Sequence, residues 1–357
     1  MTDARPYDVA LALSGGNALG AYHAGAYEAL HDGAVEPGRI AGASAGAIAG
    51  AMIAGNPRDR RLTALRAFWQ PSASPPLFPA ADTLRRTAAV TAALAGGRPG
   101  LFTPRALTPS SEAPSLYDTA PLARTLAQWI DLDLLNAGTP RFTATAVDLQ
   151  NGEDVAFDTA DGPLSITHLR ASSALPPAFP PQWIDGRLIA DAGISANLPL
   201  DAILAEPSAR PLLCLSIDLL PLRRPPPATV SEAAERMQDL VFATQSRRAL
   251  GAWQALYDER TAHGDTASVT VLHISYADQD AEVVGKAFDF SPESIRERWL
   301  AGQRDLGRAL ADIDAGHVAI GAPGLSVYEP DRAAAADQPF LRPVRHALAP
   351  RAFRPAK

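Results

Sequence analysis

The sequence predicts an α/β protein built on a mainly parallel central sheet with a largely helical C-terminal extension, and the N-terminal segment supplies the reasons. A short apolar strand, Tyr7–Leu13 (YDVALAL), ends in the punctuation Ser14-Gly15-Gly16-Asn17. A helix packed with small residues follows over Leu19–Leu30 and is closed by Asp32-Gly33. A second short strand, Arg39–Ala43, turns abruptly at Ser44 into another small-residue helix, Ala45–Ala54, which Gly55-Asn56-Pro57 stops. Strand, glycine turn, helix, strand, sharp turn, helix is how a parallel sheet begins, because parallel neighbours need a crossover and a helix supplies it.

The remaining elements are expected in this order. From Gln70 to Pro121 prolines become frequent, and a helical stretch near Ala81–Leu94 is flanked by the loops SPPLFP and GGRPGLFTP. Residues 70–121 therefore look like an insertion, either a lid or surface decoration. A helix over Leu122–Ile130 precedes a hairpin, Arg141–Asp148 and Asp154–Asp158, around Gln150-Asn151-Gly152. A helix at Leu164–Ser172, a short strand at Leu188–Ala190 and a buried strand at Pro211–Ile217 complete a region spanning 7–220. Beyond the proline hinge Arg223–Pro227, residues 221–315 read as an extension with helices over Ser231–Leu256 and Ser291–Leu310 and a strand at Ala267–Ser275. Ser291-Pro292 has the residues of an N-cap and a first helical position. The tail, 316–357, rich in Ala, Pro and Arg, is expected to be loosely ordered.

Composition narrows the function classes. With 357 residues and 47% apolar content the chain can bury a large core. A formal net charge of −7 leaves no basic footprint for nucleic acid and argues against polybasic membrane attachment, while apolar contact at a membrane periphery stays open. The single cysteine, Cys214, sits in an apolar run and reads as a buried thiol, and neither a disulfide nor a zinc cluster is available. No metal or cofactor is expected. No secretory leader and no apolar run of about 18 residues is apparent, so a cytoplasmic protein is the expectation.

Three motifs carry chemistry. Gly42-Ala43-Ser44-Ala45-Gly46 is a G-x-S-x-G at a strand-to-helix junction, where a serine on a strained turn faces the positive end of the following helix. Read alone, Ser44 could equally be a helix N-cap. Ser14-Gly15-Gly16-Asn17-Ala18-Leu19-Gly20 would aim successive backbone N–H groups into one concavity, fit for a phosphate or an oxyanion. It lacks the middle glycine of a dinucleotide fingerprint and the Lys-Ser/Thr of a P-loop. Asp191-Ala192-Gly193 places a carboxylate after a strand, at the end where parallel sheets gather active sites.

In combination these segments resemble the patatin-like phospholipase family. The resemblance runs over roughly Asp8–Asp218 through LALSGGNALGAYHAGAYEAL, GASAGAIAG, TATAVDLQNGE, ASSALPPAFPP and DAGISANLP. It implies a three-layer α/β/α fold and a serine hydrolase of lipid acyl esters, with Ser44 as nucleophile and Asp191 as its base. It also implies an oxyanion hole from the amides of Gly15, Gly16, Asn17 and Ala18, with Gly20, Gly42, Gly46, Ala192 and Gly193 shaping the turns. The expected partner is a lipid or acyl-ester substrate, with an acyl-enzyme released by water.

Three positions depart from the family pattern. Asn17 stands where the loop has its third glycine, Leu19 where a basic residue is usual, and D-A-G replaces D-G-G or D-G-A. Asn tolerates positive φ, so the first costs little; the second removes a positive charge near the site. The rival readings are an esterase or thioesterase for soluble acyl compounds, which would use the same residues, and a non-hydrolytic member that binds lipid or protein. A Ser–Asp–His enzyme would need His263, His273 or His317 at the site. His273, within VLHIS, reads as a strand histidine, and His23 could border the site from the first helix. Phe179 and Trp183 could line an acyl channel or pack in the core.

Overall fold

The computed structural model describes residues 5–70, 81–105, 114–206, 208–335 and 338–347. Parts of the expected 70–121 insertion and of the tail lie outside these residues. In chain order the first elements are β1 (Asp8–Leu13), α1 (Ala21–Asp32), β2 (Arg39–Ala43), α2 (Ala45–Ala54), α3 (Arg58–Trp69) and α4 (Asp82–Gly96). Next come β3 (Thr103–Pro104), β4 (Tyr117–Asp118), α5 (Ala120–Trp129), α6 (Leu132–Asn136), β5 (Arg141–Asp148), β6 (Asp154–Asp158) and α7 (Ile166–Ser172). The last are β7 (Gln182–Ile184), β8 (Arg187–Asp191), α8 (Asp201–Leu204), β9 (Leu212–Asp218), α9 (Val230–Ala262), β10 (Ser268–Ser275), α10 (Pro292–Asp314), β11 (Gly324–Pro330) and β12 (Leu341–Val344).

Ten strands form one sheet in the order β12-β11-β10-β9-β1-β2-β5-β8-β7, with β6 paired to β5. Six of them, β11 through β5, are parallel, and the edges are antiparallel. β9, apolar along most of its length, is buried at every position, as a strand covered on both faces should be.

Small residues let the first helices sit close. Gly25 of α1 lies against the Trp299 backbone of α10, and Gly302 of α10 lies against the Tyr22 carbonyl; a β-carbon at either would overlap the facing chain. The Trp299 indole N–H donates to the buried Glu28 carboxylate across the same contact.

The sheet runs on where the sequence suggested an extension. β10 pairs with β9 from Val269↔Leu212 to Ser275↔Asp218, so residues beyond 220 add strands to the same layer. The tail expected to be loose supplies β11 and β12: Gly324–Tyr328 pairs with β10, and Leu341–Val344 closes the edge antiparallel to β11. The composition of the tail hid two short strands whose stability comes from their neighbours. The expected hairpin is present as β5–β6, with Gly152 at φ +76° in its turn. The Ser291 side chain caps α10 by accepting from the Ser294 N–H.

Candidate active site

The register of β5 brings the two principal residues together. β6 overlaps both β2 and β8 along β5, so β2 and β8 occupy the opposite edge of β5 one after the other. Ala43, the last residue of β2, faces Thr145, and Asp191, the last residue of β8, faces Ala146. The two strand ends therefore meet head to head, and Ser44 emerges beside Asp191. This corrects one detail: β8 is antiparallel to β5, so Asp191 reaches the site from an inserted strand and not from the C-terminal end of a parallel one.

Ser44 adopts φ +54°, ψ −122°, a conformation that costs a non-glycine residue on the order of 1–3 kcal/mol. The glycines beside it make that turn possible. A β-carbon on Gly42 would run into the Gly46 backbone, and one on Gly46 into the Leu13 carbonyl of β1. The Ser44 side chain makes no capping bond to α2, which removes the plain N-cap reading. Its side chain lies near enough to the Asp191 carboxylate to lower that group's pKa, and both residues line one cavity. The Ser44 N–H is held by Ser172, donating to its carbonyl at 3.1 Å and its hydroxyl at 3.2 Å; the Ser172 hydroxyl in turn donates to the Thr145 carbonyl at 2.6 Å.

Asp191 is 2% exposed. Burial pushes its carboxyl up to about 6, while the nearby Ser44 side chain and the hydrogen bond from the Gly193 N–H, 2.7 Å from Oδ1, pull the other way. A carboxylate in this condition is ionised at neutral pH yet basic enough to take up a proton.

The four expected donors of the Ser14–Gly20 loop are not equivalent. The Gly15 N–H donates to the Asn197 carbonyl at 3.0 Å and is engaged. Ala18 is fully buried, and its carbonyl accepts from the Arg298 guanidinium at 3.1 Å. The Gly16, Asn17 and Ala18 N–H groups have no protein acceptor among the described residues, but of these three only Gly16 and Asn17 line the cavity. Asn17 takes φ +51°, the left-handed conformation its side chain tolerates.

Above the pair lies a cavity of about 460 Å³. Its walls are mainly apolar, with Ile48, Trp69, Phe102, Phe179, Phe288 and Phe290 prominent. The rings of Phe102 and Phe179 stand edge to face with centroids 5.3 Å apart, and Phe102 meets Phe288 at 6.0 Å. Leu101, Phe102 and Thr119 bring the described part of the 70–121 segment into the wall, so that segment is more than decoration. Phe179 lines the cavity, whereas Trp183 is exposed on β7. No histidine is among its lining residues. His23 is buried with its pKa lowered to about 3 by desolvation, and His273 lies within β10 between Asp218 and Glu329. The Cys214 thiol is buried and pushed up to about 12 by desolvation, an inert group.

Sequence reasoning missed three residues that hold the site. Gln245 on α9 accepts from the Asn197 N–H at 2.8 Å and donates to the Gly193 carbonyl at 3.1 Å, bracketing the loop after Asp191. Asn197 in turn donates to the Gly15 carbonyl at 3.3 Å. Arg298, fully buried and paired with Glu282 at 2.6 Å, braces the oxyanion loop from behind. Nothing local in the sequence marks Gln245 or Arg298, because both act from the C-terminal third; Asn197 lies inside the DAGISANLP segment, where the resemblance covers it.

Comparison with known proteins identifies the family. Residues 11–204, more than half of the chain, match the patatin-like phospholipase family. The chain belongs to that family. A second profile, described as patatin phospholipase, matches residues 233–317, so the patatin signature extends through α9, β10 and α10. An uncharacterized NTE family protein of Mycobacterium tuberculosis is 45% identical over 62 residues, a match that spans 17% of this patatin-like chain and only 16% of the relative. Among solved structures, VipD from Legionella pneumophila aligns over 87% of this chain and 67% of its own, at 15% identity and a TM-score of 0.44. The type III effector ExoU aligns over 86% of this chain and 53% of its own, at 16% identity and a TM-score of 0.34.

Proposed function

We propose that this patatin-like protein is a serine hydrolase of lipid acyl esters that works with a Ser44–Asp191 dyad. The observation that carries the reading is the convergence of Ser44 with the buried Asp191 carboxylate at the floor of an apolar cavity. Family membership and the absence of any lining histidine support the same choice of base.

In this mechanism an acyl chain enters the aromatic-walled cavity and presents its ester carbonyl to Ser44. Asp191 takes the hydroxyl proton as Oγ attacks the carbonyl carbon. The Gly16 and Asn17 amides, aided by the N-terminus of α2, receive the negative charge on the tetrahedral oxygen. Asp191 then returns its proton to the departing alkoxide, leaving an acyl-serine that water cleaves by the same route in reverse order of proton transfer. Thioesters and soluble esters could follow the same path, so the lipid preference rests on the cavity's apolar walls and on family membership.

A fluorophosphonate probe tests the reading. Labelling of the native chain that disappears in Ser44→Ala, together with hydrolysis of p-nitrophenyl esters, is the expected result. A folded native chain that neither labels nor turns over any ester in a chain-length series would instead make it a non-hydrolytic lipid or protein binder.

A further inference from the structure

The helix that closes one side of the cavity carries its apolar residues on the wrong side for a protein in water. In α9, Ser231, Ala234 and Gln238 line the cavity, and Asp239, Ala243 and Ser246 face the core. At the helical spacing of about 100° per residue, Val230, Met237 and Val241 fall along one line on the solvent side, opposite Asp239 and next to Ala234 at the cavity. They are 89%, 64% and 52% exposed. Leu240 is exposed beside them. A soluble helix normally points its charges outward there.

The charges of this stretch are instead turned inward. Asp239 is buried and holds the Lys286 ammonium at 2.7 Å; Glu235 accepts from the Gly285 N–H and pairs with Arg224; Glu232 caps the helix start by accepting from the Ala228 N–H. The outward line from Val230 to Arg248 thus contains no acid. Basic groups stand at its two ends, with Arg223 exposed before the helix and Arg247 and Arg248 exposed after the apolar residues. Two further apolar residues stand open at or beside the cavity: Val284, a lining residue that is itself half exposed, and exposed Ile194, next in sequence to the lining residue Gly193.

We infer that this outward face of α9 is a docking surface for a phospholipid–water interface. Val230, Met237 and Val241 enter the boundary between headgroups and acyl chains, as apolar faces of interfacial helices do. The arginines at the two ends meet lipid phosphates, and the absence of acid along the line removes the repulsion that phosphates would otherwise meet. Docking in this pose sets the cavity mouth against the lipid, so an acyl chain can pass from the bilayer to Ser44 with little exposure to water. The inference rests on the lipid hydrolase reading only for its purpose; binding itself needs no turnover.

The test uses full-length protein and vesicles of equal parts phosphatidylcholine and phosphatidylglycerol. In the Ser44→Ala background, which leaves the lipid intact, the chain should co-float with vesicles. Adding Met237→Glu and Val241→Glu should lower the vesicle-bound fraction by at least roughly tenfold. The same pair of substitutions in the native background should leave circular dichroism and hydrolysis of a short soluble p-nitrophenyl ester unchanged, since neither side chain lines the cavity. Equal flotation with and without the two glutamates, or no flotation of the parent, would overturn the inference. So would a dimer in sedimentation that the substitutions split without any vesicle binding, because the face would then join two copies. If soluble-ester hydrolysis is absent from the native chain while flotation behaves as expected, the hydrolase reading fails and the docking surface stands.

Discussion

The side-chain carbonyl of Gln245 accepts a 2.8 Å hydrogen bond from the backbone N–H of Asn197. Through this bond and its 3.1 Å bond to the Gly193 carbonyl, α9 holds the loop that presents Asp191, although 54 residues separate Asp191 from Gln245. Gln245→Leu is expected to lower kcat about tenfold with KM little changed, and to cost about 1 kcal/mol of stability through two lost hydrogen bonds. Gln245→Glu keeps the acceptor and loses the donor, so its kcat should fall between the two. Steady-state kinetics across the three proteins checks the order.

The elevated pKa of Asp191 has consequences for rate and for stability. Catalysis needs the ionised carboxylate, so kcat/KM on a soluble ester should rise with pH along a curve with an apparent pKa near 6. A profile flat from pH 5 to 8 would remove Asp191 as base.

Stability runs the other way. The folded-state pKa of about 6 lies above the ordinary 3.8, so across that window the folded chain retains a proton that the unfolded chain releases. Stability therefore declines as pH rises through the window, and the loss persists at neutrality. Asp191→Asn should abolish turnover, leaving less than about one part in a thousand, and raise the unfolding free energy at pH 7 by about 1–3 kcal/mol. Denaturant titrations at pH 4 and pH 7 measure both the sign and its pH dependence.

His273 presents the opposite linkage. Burial works to lower its pKa, but Asp218 at 3.6 Å and Glu329 at 3.1 Å overcome that and hold it at about 9. Its folded pKa lies above the ordinary 6.5, so the stabilisation is complete below that value and lost as pH rises through 9. The native protein should lose on the order of 2 kcal/mol across this range, and His273→Gln should flatten the loss. Thermal midpoints at pH 6.5 and 9.5 for the two proteins decide it.

The turn at Ser44 depends on its small neighbours. Gly46→Ala places a methyl group against the Leu13 carbonyl with only backbone to displace, so a loss of more than about 3 kcal/mol is expected. Far-ultraviolet circular dichroism under denaturant reads the shift; a stability close to native would mean that the β1–α2 contact yields more easily than its geometry implies.

Local patterning made the first half of the fold readable. β1, β2 and α2 could be placed because apolar runs end at Gly, Asn and Pro within a few residues, and the Gln150–Gly152 turn announced its hairpin. Ser44 and Asp191 stood out as candidates because both sit in motifs with restricted neighbours. What could not be read was pairing. The orientation of β8 follows from its partner β5 and not from its own residues, and β11 and β12 are strands only because β10 offers them an edge. α3 was missed because its arginines mask Ala64, Leu65, Phe68 and Trp69, which form its buried side. Gly15 belonged to the right loop, but its N–H is claimed by Asn197, a contact set 182 residues away.

The close packing of Gly25 on Trp299 sets an order of assembly during synthesis. α1 follows directly from the Ser14–Gly20 loop, yet its final seat is made by α10, which leaves the ribosome only after α9 and β10. Ser44 and Asp191 are both synthesised long before that seat exists. A nascent chain therefore carries both Ser44 and Asp191 before the Ser14–Gly20 loop and α1 have their final support, which arrives only once α10 has been translated.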